Sequence, residues 1–162
     1  MKNVLVAYAS RRGGTTGIAE WIAQTLTDAG IEVELEPASM VKPEAEFDAA
    51  IIAGSVYEQL WHPAARRLVH RAAHSWQGMP IWLVASGPLT QLDENHPAAI
   101  APQLAKCAEE IHARGTMTFG GRLDAYPKGW IAQSVAKRNA GDFRDRAVVE
   151  KWAKQVAGEL TA

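Results

Sequence analysis

Short hydrophobic runs alternate along the chain with segments in which apolar residues recur every three or four positions. The first run, residues 4–8, predicts a buried strand, and the spacing of Ile18, Ile22 and Leu26 predicts a helix that ends near Gly30. The remaining runs predict strands at about 31–35, 47–53, 81–85 and 116–121. Helical patterns follow from Pro63, over about 97–113 and over about 145–160.

This alternation predicts one α/β domain over residues 1–162, with five parallel strands and right-handed crossovers. Helices on both faces of the sheet make the architecture a doubly wound three-layer sandwich. In such folds ligands bind beyond the carboxyl ends of the strands, where the strand order reverses. Glycine-containing turns follow the first, third and fourth strands, so we expect the site at that edge.

The composition and net charge of the chain exclude several classes of function. The chain has 162 residues, 48% hydrophobic and 22% charged, with a formal net charge of −1, so we expect no nucleic-acid partner. The single cysteine, Cys107, excludes an internal disulfide, and the five histidines lack metal-ligand spacing. Without a cleavable signal or a long apolar run, a cytoplasmic location is predicted.

The turn after the first strand has the chemistry of an anion-binding loop. Adjacent glycines let backbone N–H groups converge on an anion, and the next helix directs its positive end to the same point. Hydroxyls and guanidinium groups beside them offer further donors. The loop consists of Ser10, Arg11, Arg12, Gly13, Gly14 and Thr15. The alternative is a plain glycine turn between a strand and a helix.

Other phosphate loops fit the segment poorly. A nucleoside-triphosphate loop needs a lysine before its Ser/Thr, and here Gly14 precedes Thr15. The glycine pattern of dinucleotide-binding folds is absent. A receiver domain needs paired acids after the first strand, where this chain has Ala9 and Ser10.

Residues 10–15 resemble the flavodoxin phosphate loop, T/S-x-T-G-x-T, with Arg12 in place of the second hydroxyl residue. The chain is most similar to the flavodoxin-like family that includes the menaquinone-dependent protoporphyrinogen oxidases. The matching segments are Tyr8-Ala9-Ser10-Arg11, Gly54-Ser55-Val56, His62-Pro63-Ala64, Ser86-Gly87-Pro88-Leu89 and Gly141-Asp142-Phe143-Arg144-Asp145. This resemblance implies a flavodoxin-like fold with strand order 2-1-3-4-5 and flavin mononucleotide (FMN) as cofactor.

In that family the flavin ring lies between the loops after the third and fourth strands, which match residues 55–62 and 86–89 here. Tyr57 and Trp61 offer flat faces for stacking, although Trp61 has a second interpretation as a core aromatic beside the next helix. His62 is either a proton donor at the mouth of the site or a helix cap. The predicted cofactor contacts are Ser10, Arg11, Arg12, Gly13, Gly14, Thr15, Ser55, Val56, Tyr57, Trp61, Ser86, Gly87 and Pro88.

The segment 123–141 separates the fifth strand from the last helix. The quinone-linked oxidases carry a long apolar insertion there, whereas this chain mixes Trp130, Ile131 and Val135 with cations. It is interpreted as a substrate lid or a weak membrane-surface contact, or alternatively as a surface helix whose apolar face covers the sheet.

The leading hypothesis is an FMN-dependent oxidoreductase whose partners are a quinone and an organic substrate such as a porphyrinogen. The alternative is an electron-transfer flavodoxin that docks on redox proteins, and a third hypothesis is an FMN-free binding module. Carriers usually have an acidic rim around the flavin. In this chain the acids Glu58, Asp93 and Glu94 are offset by Arg11, Arg12, Arg66 and Arg67.

Overall fold

The structure is a computed structural model that describes residues 2–11, 13–57, 60–87, 102–120, 122–123, 141–142 and 144–162. Its strands are β1 (Asn3–Ala9), β2 (Glu32–Pro37), β3 (Ala49–Tyr57), β4 (Leu60–Trp61), β5 (Ile81–Gly87), β6 (Gly115–Gly120), β7 (Arg122–Leu123) and β8 (Gly141–Asp142). Its α-helices are α1 (Gly14–Asp28), α2 (Pro63–Ala72), α3 (Pro102–Ile111) and α4 (Arg146–Thr161). A 3₁₀ turn covers Ala38–Met40.

The five long strands form one parallel sheet in the order β2-β1-β3-β5-β6. With the two-residue β4 left out, this is the predicted 2-1-3-4-5 order, and the predicted α/β fold class is confirmed. β4 runs antiparallel to the end of β3, and β7 pairs with β8 in a separate ribbon. The order reverses between β1 and β3, which places the carboxyl ends of these two strands at the point where ligands bind in this architecture.

Each face of the sheet buries its own hydrophobic cluster. On one face Val4 and Ile51 pack with Ile18 of α1 and Val149 of α4. On the other face Leu5 packs beneath the buried residues of α2 and α3. Because both faces are covered, the central strands β1, β3 and β5 are apolar along most of their length, which explains their continuous hydrophobic runs. The edge strand β2 carries the exposed Glu32 and Glu34.

Two strands are longer than predicted. β3 continues to Tyr57 and β5 continues to Gly87, so residues that we expected in turns lie in strands. Ser55 pairs with Ser86, and the end of β3 is extended further by its pairing with β4. Small residues that resemble turn formers are thus held in the sheet, because the ladder hydrogen bonds of neighbouring strands outweigh their weak strand propensity.

Some sequence predictions lie outside the described residues: the start of the third helix at 97, Arg12, Pro88 and positions 124–140 of the segment before the last helix. Within the described ranges no helix combines the length and the apolarity that crossing a membrane requires. The cytoplasmic location and the single domain over 1–162 stay predictions.

Candidate functional site

The first loop connects the end of β1 to the start of α1 through a glycine in a left-handed conformation. Gly13 has a φ of +83° and caps the helix, a backbone conformation that glycine adopts without steric cost. Its amide donates to Oγ of Ser10 at 2.9 Å, which closes the turn. The loop therefore directs the beginning of α1 toward the carboxyl edge of the sheet.

The amino end of α1 is suited to an anion. No side chain caps it, and its first turn contains no acidic residue. The first amides of a helix lack partners inside the helix and lie at the positive end of its dipole. Gly14 and Thr15, which begin the helix, are buried at its base. A phosphate placed at this end would satisfy donors that the protein leaves open.

A row of serines crosses the sheet beside this helix end. Ser55 and Ser86 are paired in the register of β3 and β5, and Ser10 directly follows β1. Since side chains alternate along a strand, Ser55 lies on the same face as Ile51 and Ala53, which belong to the core cluster that includes α1. Its hydroxyl oxygen is buried and has no hydrogen-bond partner among the described residues. Such an orphaned hydroxyl fits a site that a polar ligand completes.

Arg11 and Tyr57 join the first loop to the end of β3. The guanidinium of Arg11 lies 5.3 Å from the centre of the Tyr57 ring, a cation–π contact. Tyr57 is 48% exposed, and Leu60, its partner across the β3–β4 pair, is 50% exposed. These side chains form an accessible aromatic and aliphatic surface directly beside the anion-binding loop.

Trp61 corrects one prediction. Its side chain is 0% exposed, and its indole N–H donates to the carbonyl of Val84 at 3.2 Å. A Cβ on Gly54 would lie 2.5 Å from the indole nitrogen, so the room left by that glycine is filled by Trp61. The stacking role predicted for Trp61 is wrong because the ring is enclosed in the core, and the alternative core interpretation is the correct one.

His62 caps α2, as the structural interpretation expected. Its Nδ1 accepts the amide hydrogen of Ala64 at 3.1 Å, so the proton of the neutral ring resides on Nε2. Burial lowers the pKa of His62 below its ordinary value, and the positive charges of Arg11 and Arg67 lower it further. His62 is therefore neutral at pH 7.

Arg144 is a residue of the site that the sequence interpretation quoted but gave no role. Its Nη1 donates to the carbonyl of Gly14 at 3.4 Å, and its guanidinium lies 5.1 Å from the centre of the Trp21 ring. A Cβ on Gly17 would collide with the same Nη1, so the glycine makes room for it. Gly14 and Arg144 are 130 residues apart in the chain. The only sequence signal for this region was the family similarity of the Gly141–Asp145 segment.

The remaining predicted contacts divide between the two sides of the sheet. Ser86 and Gly87 are buried at the end of β5. Val56 is half-buried against the core cluster of α2 and α3, on the opposite side from Ser55. The structure thus brings Ser10, the start of α1, Ser55, Ser86 and Tyr57 to one edge, and it places the side chains of Val56 and Trp61 on the opposite face of the sheet from Ser55.

The fold and this edge define a class: a doubly wound parallel α/β protein with an anion-binding loop at its topological switch point. The protein-family model for the flavodoxin domain matches residues 5–137. The chain therefore belongs to the flavodoxin domain family, for which the cofactor is FMN. The predicted cofactor is confirmed, whereas the resemblance to the protoporphyrinogen oxidases in particular is supported by none of the comparisons.

Solved structures share the fold at low sequence identity. A short-chain flavodoxin associated with a non-canonical PDU bacterial microcompartment superposes with a TM-score of 0.62 at 13% identity, covering 95% of each chain. A flavodoxin from Streptococcus pneumoniae gives 0.63 at 17% identity, covering 97% of this chain and 99% of its own. The apo form of an NADH:FMN oxidoreductase gives 0.62 at 13% identity, covering 98% and 90%. No curated protein matches the sequence.

Proposed function

We propose that the protein is an FMN-dependent oxidoreductase that moves electrons from an organic substrate to a quinone, in the manner of the quinone-linked oxidases that its motifs resemble. The donor loses two electrons, together with two protons when it is a porphyrinogen or with one when it is reduced nicotinamide. The quinone gains two electrons and two protons and becomes a hydroquinone, and solvent supplies the second proton in the nicotinamide case. Bound FMN supplies the two-electron chemistry that connects these half-reactions. The protein supplies binding, orientation and electrostatics.

Each described element of the edge has a role in this proposal. Ser10 and the first amides of α1 bind the phosphate, since the Ser10 hydroxyl and those amides are donors at a positive helix end, and Gly13, whose amide bonds to Oγ of Ser10, holds the turn that positions them. The hydroxyl of Ser55 donates to a cofactor oxygen and thereby gains the partner that it lacks within the protein. Tyr57 offers its exposed ring as a stacking surface for the flavin.

The observation that favours an enzyme over a carrier is the charge around this edge. The guanidinium of Arg11 lies 5.3 Å from the centre of the Tyr57 ring, and the charges of Arg11 and Arg67 both lower the pKa of His62, which begins α2. An electron carrier usually surrounds its flavin with carboxylates that steer it to basic partners. Glu58, Asp93 and Glu94 lie outside the described residues, and within them this edge presents Arg11 and Arg67. These cations suit a substrate that is not a basic protein surface.

An electron-transfer flavodoxin is the second candidate. Its support is the close match in length to the two flavodoxins above, which this chain covers almost from end to end. In this case the flavin would exchange electrons with a redox protein and would have no small-molecule substrate.

Anaerobic turnover of the FMN-loaded protein distinguishes the two. Reduced nicotinamide or a porphyrinogen is supplied as the donor and a naphthoquinone as the acceptor, and hydroquinone formation is followed over many turnovers. The enzyme hypothesis expects multiple turnovers that depend on the loaded protein. If hydroquinone never exceeds one equivalent per FMN while a ferredoxin reductase reduces the flavin rapidly, the protein is a carrier and the enzyme proposal is wrong.

A further inference from the structure

The side chain proposed to stack on the flavin, Tyr57, lies on a very short hairpin. β3 ends in two residue pairs with β4, Val56 with Trp61 and Tyr57 with Leu60, and β4 itself is two residues long. An isolated two-stranded hairpin is marginally stable at best in water. The position of Tyr57 at the mouth of the site therefore depends on the contacts that fasten β4 to the rest of the protein.

Trp61 fastens β4 from its inner side. Its ring is fully buried, and the indole N–H donates to the carbonyl of Val84 in β5 at 3.2 Å. The amide of the next residue, His62, donates to the carbonyl of Ser55 at 2.9 Å. Because backbone hydrogen bonds alternate along an antiparallel pair, the amide of Trp61 faces away from β3. That amide needs a partner from outside the hairpin.

Gln103 provides this partner. Its Oε1 accepts the amide hydrogen of Trp61 at 3.1 Å, and the two residues are 42 positions apart in the chain. Gln103 is the second residue of α3, and its neighbour Leu104 is completely buried in the core cluster that also contains Trp61. Because core packing fixes the first turn of α3, the side chain of Gln103 is a fixed point for the outer edge of β4.

The exposed side chains of the hairpin have little packing of their own. Tyr57 is 48% exposed and Leu60 is 50% exposed, so burial holds neither of them firmly. The Tyr57 ring contacts the guanidinium of Arg11, which is itself exposed, and a cation–π contact at an exposed site is weak. The backbone of the hairpin therefore sets where the ring lies, and the hydrogen bond from Trp61 to Gln103 holds that backbone.

We propose that Gln103 is a positioning residue that holds Tyr57 in the place from which its ring contacts the flavin. Gln103 acts through the amide of Trp61 rather than through a contact with the cofactor. This role rests on the stacking surface proposed above for Tyr57, and it adds the residue that preorganises this surface. Since a ring that is already held in place loses less freedom when a ligand binds, the hydrogen bond contributes to the affinity for the flavin ring.

The test measures the equilibrium binding of FMN and of riboflavin to the full-length protein. Gln103→Leu keeps the size of the side chain and removes the acceptor, whereas Gln103→Glu retains an acceptor and should retain the wild-type affinity. Gln155→Leu makes the same exchange at an exposed position of α4 and is the matched control. Urea unfolding establishes that each variant is folded under the conditions of the titration.

We expect Gln103→Leu to weaken the binding of both ligands by the same factor, about 3- to 10-fold, which corresponds to the loss of one hydrogen bond. The factors are equal because both ligands contain the ring and the phosphate is not involved. In a Tyr57→Ala background this loss should disappear, since a positioning residue has no effect once the residue that it positions is gone. Bound FMN should also be more fluorescent in Gln103→Leu, because a stacked aromatic ring quenches the flavin.

Several results would overturn the role of Gln103. One is an unchanged flavin affinity in folded Gln103→Leu when Tyr57→Ala weakens binding. Another is an equal loss in Gln155→Leu or Gln103→Glu, and a third is a loss that persists in the Tyr57→Ala background. If Tyr57→Ala itself leaves both affinities unchanged, the stacking surface is wrong and the role of Gln103 is wrong with it. A failure of the proposed oxidoreductase has a different signature, because it removes quinone turnover and leaves these affinities intact.

Discussion

The two ends of the parallel sheet differ in how completely their polar groups are satisfied. At the amino end the amide of Asn3 donates to a carboxylate oxygen of Asp48 at 2.7 Å, and the indole N–H of Trp76 donates to the carbonyl of Pro43 at 3.0 Å. Trp76 also packs edge-on against Phe47. At the carboxyl end the hydroxyl of Ser55 has no partner in the described chain, and no side chain caps α1.

The two ends of the sheet also differ in the sign of their charged side chains. A groove of about 770 Å³ at the amino end is bordered by Glu44, Glu46 and Asp48. The described rim of the carboxyl end carries Arg11 and Arg67 instead. One end of the sheet thus completes the hydrogen bonds of these polar groups and contributes stability, whereas the other end leaves donors and positive charge for a ligand. Variants at the two ends separate these roles.

Trp76→Ala tests the stabilising role of the amino end. Trp76 is 4% exposed, and its removal should lower the free energy of unfolding by about 3–5 kcal/mol, the range for truncating a buried aromatic side chain. The FMN dissociation constant of the folded protein should stay unchanged. Urea denaturation and FMN titration measure the two quantities. A large loss of FMN affinity at full folding would show that the two ends are coupled.

Ser55→Ala should have opposite effects on the stability of the FMN-free protein and on its affinity for FMN. Removing a buried hydroxyl without a partner should raise the FMN-free stability or leave it unchanged, because its desolvation cost of about 1–3 kcal/mol disappears. The same change should weaken FMN binding, since the cofactor loses a donor. Thermal unfolding without FMN measures the change in stability, and the additional shift of Tm with FMN measures the change in FMN binding. A variant that is less stable without FMN would contradict this interpretation of Ser55.

Arg144→Gln should weaken the binding of FMN about 3- to 10-fold through its charge beside the first turn of α1, an effect of about 1 kcal/mol at low salt. Riboflavin lacks the phosphate, so its affinity should be unaffected. Arg146→Gln is the matched control. The guanidinium of Arg146 also lies over Trp21, 5.8 Å from the ring centre, and it forms an exposed ion pair with Glu150. Equal losses for FMN and riboflavin would assign Arg144 a purely structural role.

The smallest effect is the pH dependence contributed by His62. Its folded-state pKa is lowered by burial and by the two arginines, so the folded protein binds the proton less readily than the unfolded chain. Its contribution to stability is complete above pH 6.5, the unfolded value, and is lost as the pH falls through the lower folded value. His62→Asn, which retains a capping side chain, should remove this component from the stability–pH curve. An unchanged curve would show that His62 does not titrate in this way.

The sequence could predict the elements whose causes are local. Gly13 and Gly14 between a strand and a helix indicated the anion-binding loop, and the apolar runs indicated the buried strands. The strand order required the family resemblance, because periodicity alone does not specify which strands are neighbours. The ends of β3 and β5 were misjudged, since the pairing of Ser55 with Ser86 is a contact between distant segments.

Local patterns were sufficient to specify an α/β fold with a glycine loop able to hold a phosphate, because backbone conformation and the periodicity of buried residues are set over a few positions. The tertiary structure decided which side chains face the site. It enclosed Trp61 beside Gly54, left the hydroxyl of Ser55 without a partner, and brought Arg144 to α1. These outcomes depend on register, on packing volume and on contacts between residues far apart in the chain, none of which a local pattern encodes.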